Sequence, residues 1–248
     1  MPAPTPTPTP TAASPPAPQP APATLSIIVP VLDEAAGVAA MLDALAPLRA
    51  RGAELIVVDG GSSDGTLALA RPRADAVVTA PRGRARQMRA GAAQARGDRL
   101  LFLHADTRLP DAADAAISAA LAATQTGRAW GRFDVHIAGR ARLLPLIAAL
   151  MNLRSRWSGI ATGDQALFMT RAAYDAVGGF PDQPLMEDIE ISKRLLRLGR
   201  PVCLRQRVTT SGRRWEQRGV WRTVVLMWRL RLLYWLGVSA DRLAPQYR

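Results

Sequence analysis

From Leu25 onward the chain alternates short, unbroken apolar runs with longer segments whose apolar residues recur at three- and four-residue spacing. LSIIVPV (25–31), ELIVVD (54–59) and LLFL (100–103) show no in-out alternation, the pattern of strands buried on both faces. VAAMLDALAPL (38–48), TLALARP (66–72), the arginine-bearing stretch after Pro81 and DAADAAISAALAA (111–123) have helical spacing or composition, and Asp75 to Thr79 add a weak strand. Strand and helix alternating at this interval predict βαβ units, and hence a parallel sheet with right-handed crossovers.

Past residue 124 the pattern becomes less regular. AWGRFDVHI (129–137) reads as a strand, ARLLPLIAALMNLRSRW (141–157) as an apolar helix edged by arginines, and GDQALFMTRAAYDAVGGF (163–180) as a turn, a short strand and a short helix. PDQPLMEDIEISKRLLRLG (181–199) sets Glu187, Asp188 and Glu190 at the start of an amphipathic helix, where acids favourably meet the helix dipole and can also present a base to a cleft. In RGVWRTVVLMWRLRLLYWLGV (218–238), Trp221, Trp228 and Trp235 recur every seven residues along one face, and Arg222, Arg229 and Arg231 interrupt the apolar run. A spanning helix needs about 20 mostly apolar residues, so this segment either docks on the domain or sits in a headgroup region.

Composition narrows the picture. Residues 1–23 are a Pro/Thr/Ala tract that cannot build a core and is expected to be a disordered tail; it lacks a secretory pattern, and one cysteine, Cys203, fits a reduced compartment. The protein is therefore expected in the cytoplasm. The formal charge of +12 is unevenly spread: residues 1–192 carry 18 basic and 18 acidic side chains, residues 193–248 carry 14 and 2. Such a basic surface attracts anionic lipid, nucleic acid or phosphorylated ligands alike. No helix-turn-helix, zinc-finger or RNP-like motif supports nucleic acid, and neither GxGxxG nor a P-loop is present.

The chemistry gathers at predicted strand ends. Asp33, Asp59 and Asp106 each follow an apolar strand, placing three acids on the C-terminal edge where open α/β sheets bind ligands, although any one of them could merely cap the next helix. Arg84 opens a helix in PRGRARQM and faces either phosphate or solvent.

The ordered set IIVPVLDE, VVDGGSSDGT, LHADT, and GGF followed by MEDIEISKRL resembles the family 2 nucleotide-sugar glycosyltransferases, in particular a bacterial branch of small soluble or peripheral members; the likeness spans Leu25 to Trp215. The resemblance implies an α/β fold of GT-A type, a mostly parallel sheet flanked by helices with a Rossmann-like N-terminal half. It implies a catalytic domain over 24–215, leaving 216–248 as a basic, Trp-rich helical extension. Pro30, Asp33 and Glu34 would line the nucleotide pocket and Asp59 would hydrogen-bond the base. His104, Ala105 and Asp106 replace the family's aspartate-x-aspartate triplet, with Asp106 as metal contact and His104 as a ligand or a sugar-orienting group. Asp188 matches the catalytic base, and Arg213, Arg214 and Trp215 match an element near the product side, without the leading glutamine of processive members. The implied reaction is inverting, non-processive transfer from a nucleoside-diphosphate sugar with Mg2+ or Mn2+. The acceptor stays open, a lipid-like molecule on the inner membrane face among the candidates. A nucleotidyltransferase of similar fold and a non-catalytic basic surface-binding protein are the alternatives.

Overall fold

The computed structural model describes Met1 and residues 25–124 and 126–247. The Pro/Thr/Ala tract lies outside these residues. Eight strands form one mixed sheet: β1 (Leu25–Val31), β2 (Glu54–Asp59), β3 (Ala76–Thr79), β4 (Arg99–Phe102), β5 (Thr107–Arg108), β6 (Trp130–Ala138), β7 (Leu167–Thr170) and β8 (Val202–Ser211), in the order β3-β2-β1-β4-β7-β6-β8-β5. Pairings within β3-β2-β1-β4 are parallel, as the apolar runs require, while β7 joins β4 and β6 antiparallel and β6 pairs β8 in parallel.

Both faces of the N-terminal half are covered. Ile27, Val29, Leu55, Val57 and Leu101 belong to one core, whereas Ile28, Ile56, Val58, Leu100 and Phe102 belong to the other, so alternate residues of each strand feed opposite layers. The helices of this half are α1 (Val38–Asp43), α2 (Ala46–Ala50), α3 (Thr66–Ala70), α4 (Arg84–Gln94) and α5 (Ala113–Ala122). The expected single helix over 38–48 is thus two short ones, the second with Pro47 in its first turn, where a missing N–H is harmless. Gly91 lets α4 approach the sheet closely: a β-carbon there would lie 2.4 Å from Ile28 Cγ2.

The C-terminal half adds α6 (Leu144–Ser158), α7 (Arg171–Ala176), α8 (Glu187–Leu195), α9 (Arg213–Arg218), α10 (Val220–Trp235) and α11 (Ala240–Tyr247). Asn152 of α6 accepts from the Val135 N–H at 2.9 Å and donates to its carbonyl at 3.0 Å, fastening the helix to β6. The boundary expected after Trp215 falls inside α9. Strand β8 has no counterpart in the expectations, because VCLRQRVTTS is charged and shows no buried-strand run; it is only half covered, and its pairing with β6 supplies what its composition lacks. No described helix is long and apolar enough to cross a membrane.

Helix α10 settles one of the alternatives by using both faces. Leu230 is fully buried against Leu185, Met186 and Ile189 of the domain and Leu243 of α11, while Trp221, Trp228 and Trp235 stay 69%, 72% and 76% exposed. It docks, and the tryptophan stripe stays exposed, with Trp221 and Trp228 bordering a cavity.

Candidate active site

The C-terminal ends of β1 and β4 open into a cavity of about 1660 Å³, closed on its far side by α6, α8, α10 and α11. Pro30, Glu34, Arg84, His104, Asp106, Asp188, Arg213, Arg214 and Trp215 all line it. Nine of the eleven residues expected at the site therefore meet in one place.

The two exceptions hold the turns next to it. The Asp59 side chain is fully buried, and its carboxylate accepts from the Gly61 and Ser62 N–H groups and the Ser62 hydroxyl, folding the turn after β2. Asp33 adopts φ 52° and accepts from the Ser63 N–H at 2.8 Å, tying the turn after β1 to the turn after β2. Gln87 closes the same corner, donating to the Val31 and Val58 carbonyls at 2.8 Å each; it presses on Gly60, where a β-carbon would lie 3.1 Å from the amide.

Asp106 stands exposed in the cavity just past β4. Its backbone carbonyl accepts from the Ser211 N–H at 3.2 Å and Thr107 Oγ1 bonds Thr210 Oγ1 at 3.1 Å, so the end of β8 delivers Arg213 beside the acid. Glu34 shares this corner. Burial, followed by the charges of Asp106 and Asp64, pushes its pKa up, against the pull of Arg213 and Arg84. Arg84 is solvent-exposed in the cavity and stays firmly charged: crowding by the surrounding protein favours the neutral form, but Glu187, Tyr247, Asp164 and Asp188 together overcome it.

His104 is committed. Nδ1 lies 3.2 Å from Asp164 Oδ1, and the ring rests on Gly163, whose added β-carbon would stand 2.3 Å from Cε1 and Nε2. Asp164 is held below the usual carboxylate range, since the hydrogen bond and charge of His104, with Arg84 and Arg214, outweigh its desolvation. The short helical turn Gly163–Gln165 also donates the Gly163 N–H to Asp188 Oδ2 at 3.0 Å. Asp188 and the buried Glu187 both border the cavity, whereas Glu190 turns away to Arg194 at 3.1 Å and Tyr234 at 3.3 Å.

Among the described residues no three acidic, histidine or cysteine side chains converge as a metal cluster. His104 braces the 163–165 turn through Nδ1 and its packing on Gly163, and Asp106 stands as the exposed carboxylate at the strand end. One carboxylate suits a hard cation that takes its remaining oxygens from a diphosphate and water, as Mg2+ commonly does. Sequence reasoning did not single out Asp164, Gly163, Arg154 or Arg231; a buried-strand-plus-acid search cannot find them, because the first two sit in a turn before β7 and the others on apolar helices.

The glycosyl transferase family 2 model matches residues 26–180, more than half of the chain. The chain belongs to this family. The match stops short of Glu187 and Asp188, so those residues are placed by geometry. Among solved structures, the family member resembles Staphylococcus aureus TarS 1-349 (18% identity, 76% of this chain and 60% of that one, TM-score 0.60). It also resembles the mannosyltransferase PcManGT from Pyrobaculum calidifontis, solved with GDP-Man and Mn2+ (20% identity, 90% and 67%, TM-score 0.63). A third likeness is to glucosyl-3-phosphoglycerate synthase from Mycobacterium tuberculosis, solved with Mn2+, UDP and glucosyl-3-phosphoglycerate (21% identity, 75% and 70%, TM-score 0.55). The chain thus spans about 60% of the length of the TarS fragment it matches. These likenesses establish a GT-A-like fold with a central mixed sheet. No curated protein matches the chain.

Proposed function

We propose that this family 2 protein transfers a sugar from a nucleoside-diphosphate sugar to an acceptor hydroxyl by a single, inverting displacement. The observation that carries the reading is the convergence, in one cavity, of a free strand-end carboxylate at Asp106 with arginines at 84, 213 and 214, and of a second, separately fixed carboxylate at Asp188. The first group suits a diphosphate, the second an acceptor proton. The Mn2+ and nucleotides bound in two structural relatives point the same way.

A diphosphate leaves readily when its growing negative charge is neutralised. A divalent ion, Mg2+ or Mn2+, held by Asp106 would supply part of that neutralisation. Arg84, kept charged by its carboxylate neighbours, and Arg213, beside Glu34 and Asp106, supply the rest from the protein. Asp188 takes the proton of the attacking hydroxyl; the Gly163 N–H at Oδ2 and the Ile189 N–H at Oδ1, 2.8 Å away, fix the direction of the carboxylate. Asp33 and Asp59 act by holding the turns after β1 and β2, beside Glu34.

Trp221 and Trp228 of α10 border the cavity together with Leu146, Leu150, Leu153 and Trp157 of α6, all of them exposed, and α10 lies in the most basic part of the chain. An amphipathic surface of this kind suits an anionic membrane as the place where the enzyme works.

The test is calorimetric titration of UDP and GDP with and without Mg2+ or Mn2+. The wild-type protein is expected to bind one of them markedly more tightly with the ion, and Asp106→Ala to lose most of that difference. Equal affinity with and without ion in both proteins would contradict the reading.

A further inference from the structure

Two arginines in the cavity wall are unexplained by the donor site. Arg154 projects from α6 and Arg231 from α10, and both line the cavity. Arg154 Nε and Nη2 and Arg231 Nε are shut off from solvent, and among the described residues none has a hydrogen-bond partner. Buried charges are ordinarily paired, because an unpaired guanidinium gives up its hydration for nothing. Here two of the same sign are placed together. Burial, with the Arg231 charge contributing, pushes the Arg154 pKa down to about 10, and burial likewise lowers Arg231; the Asp188 carboxylate is the counter-charge felt by both.

The position of Arg154 separates it from the strand ends proposed to hold the diphosphate. Glu34, His104 and Asp106 stand at the ends of β1 and β4, whereas α6 packs on β6, two strands beyond β4 in the sheet. Asn152 anchors α6 there, so Arg154 is carried on a fixed element. Arg154 therefore borders the cavity from the side of β6, and the Asp188 carboxylate lies within reach of both arginines.

We infer that Arg154 and Arg231 form the seat of an oxyanion carried by the acceptor, a phosphate or carboxylate group bound beside the hydroxyl that Asp188 deprotonates. Guanidinium groups present several donors in a fixed plane and match such oxyanions in paired hydrogen bonds, which would satisfy the three orphan nitrogens at once. This deepens the proposed transferase reading, since it names the acceptor's chemical class, and it rests on that reading for the role of Asp188. An oxyanion here has two sources, the donor's diphosphate or the acceptor. The sheet placement favours the acceptor.

The test titrates inorganic phosphate into the full chain, alone and with saturating nucleoside diphosphate and Mg2+, and repeats both in Arg154→Met/Arg231→Met. Wild-type protein is expected to bind phosphate in both conditions. The double variant should bind it ~10-fold or more weakly, the scale of lost charge-assisted hydrogen bonds, while its UDP and GDP affinities stay within about threefold. Without ligand the variant should melt at a higher temperature, because three buried guanidinium nitrogens without partners have been removed, and phosphate should no longer raise its melting point. The inference is overturned by absence of phosphate binding to wild-type protein, by phosphate binding that vanishes when nucleotide is present, by unchanged binding in the variant, or by a lower melting temperature of the variant. If no nucleotide binds the wild-type protein, the transferase reading fails, while the phosphate titration still reads the arginine pair.

Discussion

Gly163 gives its N–H to Asp188 Oδ2 at 3.0 Å while the ring of His104 lies against its α-carbon, so one small residue connects the end of β4 to the proposed base on α8. A methyl group at this position would meet the imidazole at 2.3 Å. Gly163→Ala is expected to destabilise the fold by about 1–3 kcal/mol, the usual cost of overpacking, and to lower transfer more than it lowers nucleotide binding. Denaturant unfolding and paired rate and binding measurements on the same variant check this; an unchanged rate would separate the turn from the base.

The buried Glu187 should leave a mark on pH-dependent stability. Burial first, and the neighbouring Asp188 second, raise its pKa above the ordinary 4.5 despite the opposing charge of Arg84. The native state then holds a proton that the unfolded chain releases, so this group's contribution is fully present below pH 4.5 and declines as pH rises through the folded value. Glu187→Gln removes the ionisation. Relative to wild type, it should gain stability progressively above pH 4.5, with no gain below. Melting curves across this range give the difference directly, and a variant less stable at neutral pH would show that the Glu187 charge supports the fold.

Legibility in the sequence followed burial. The strands β1, β2 and β4 are apolar on both faces and announce themselves, and with them the positions of Glu34 and Asp106. β8 did not, because its Arg205, Gln206 and Arg207 are exposed and its pairing partners are distant in sequence. Asp33 and Asp59 were correctly placed at strand ends, but sequence does not show their hydrogen bonds, Asp59 to the N–H groups of its own turn and Asp33 across to Ser63 of the turn after β2. The alternation of faces on α8 did turn Glu190 away from Asp188, and the ion pair with Arg194 holds it there. His104 lies at the end of β4 as expected, yet its partner Asp164 comes from a turn far along the chain.

The tryptophan stripe of α10 carries its own prediction. Trp221→Ser/Trp228→Ser/Trp235→Ser should reduce binding to phosphatidylglycerol vesicles ~10-fold or more with little change in melting temperature, because all three rings are solvent-exposed in the fold. Wild-type binding should weaken as salt rises, through screening of the surrounding arginines. Vesicle sedimentation at low and high salt reads both effects. Equal binding by the two proteins would assign the stripe no part in membrane contact.

The central claim is that Asp188 removes the acceptor proton, and the most direct measurement is the transfer rate of Asp188→Asn at saturating donor, with donor affinity determined on the same preparation. The amide keeps the size of the side chain and an oxygen for the Gly163 N–H, but it cannot take up a proton. Turnover should fall by about 10² to 10⁴ fold, the range for a positioned base, with donor affinity within about twofold of wild type. Transfer at a near-normal rate by Asp188→Asn would contradict the account.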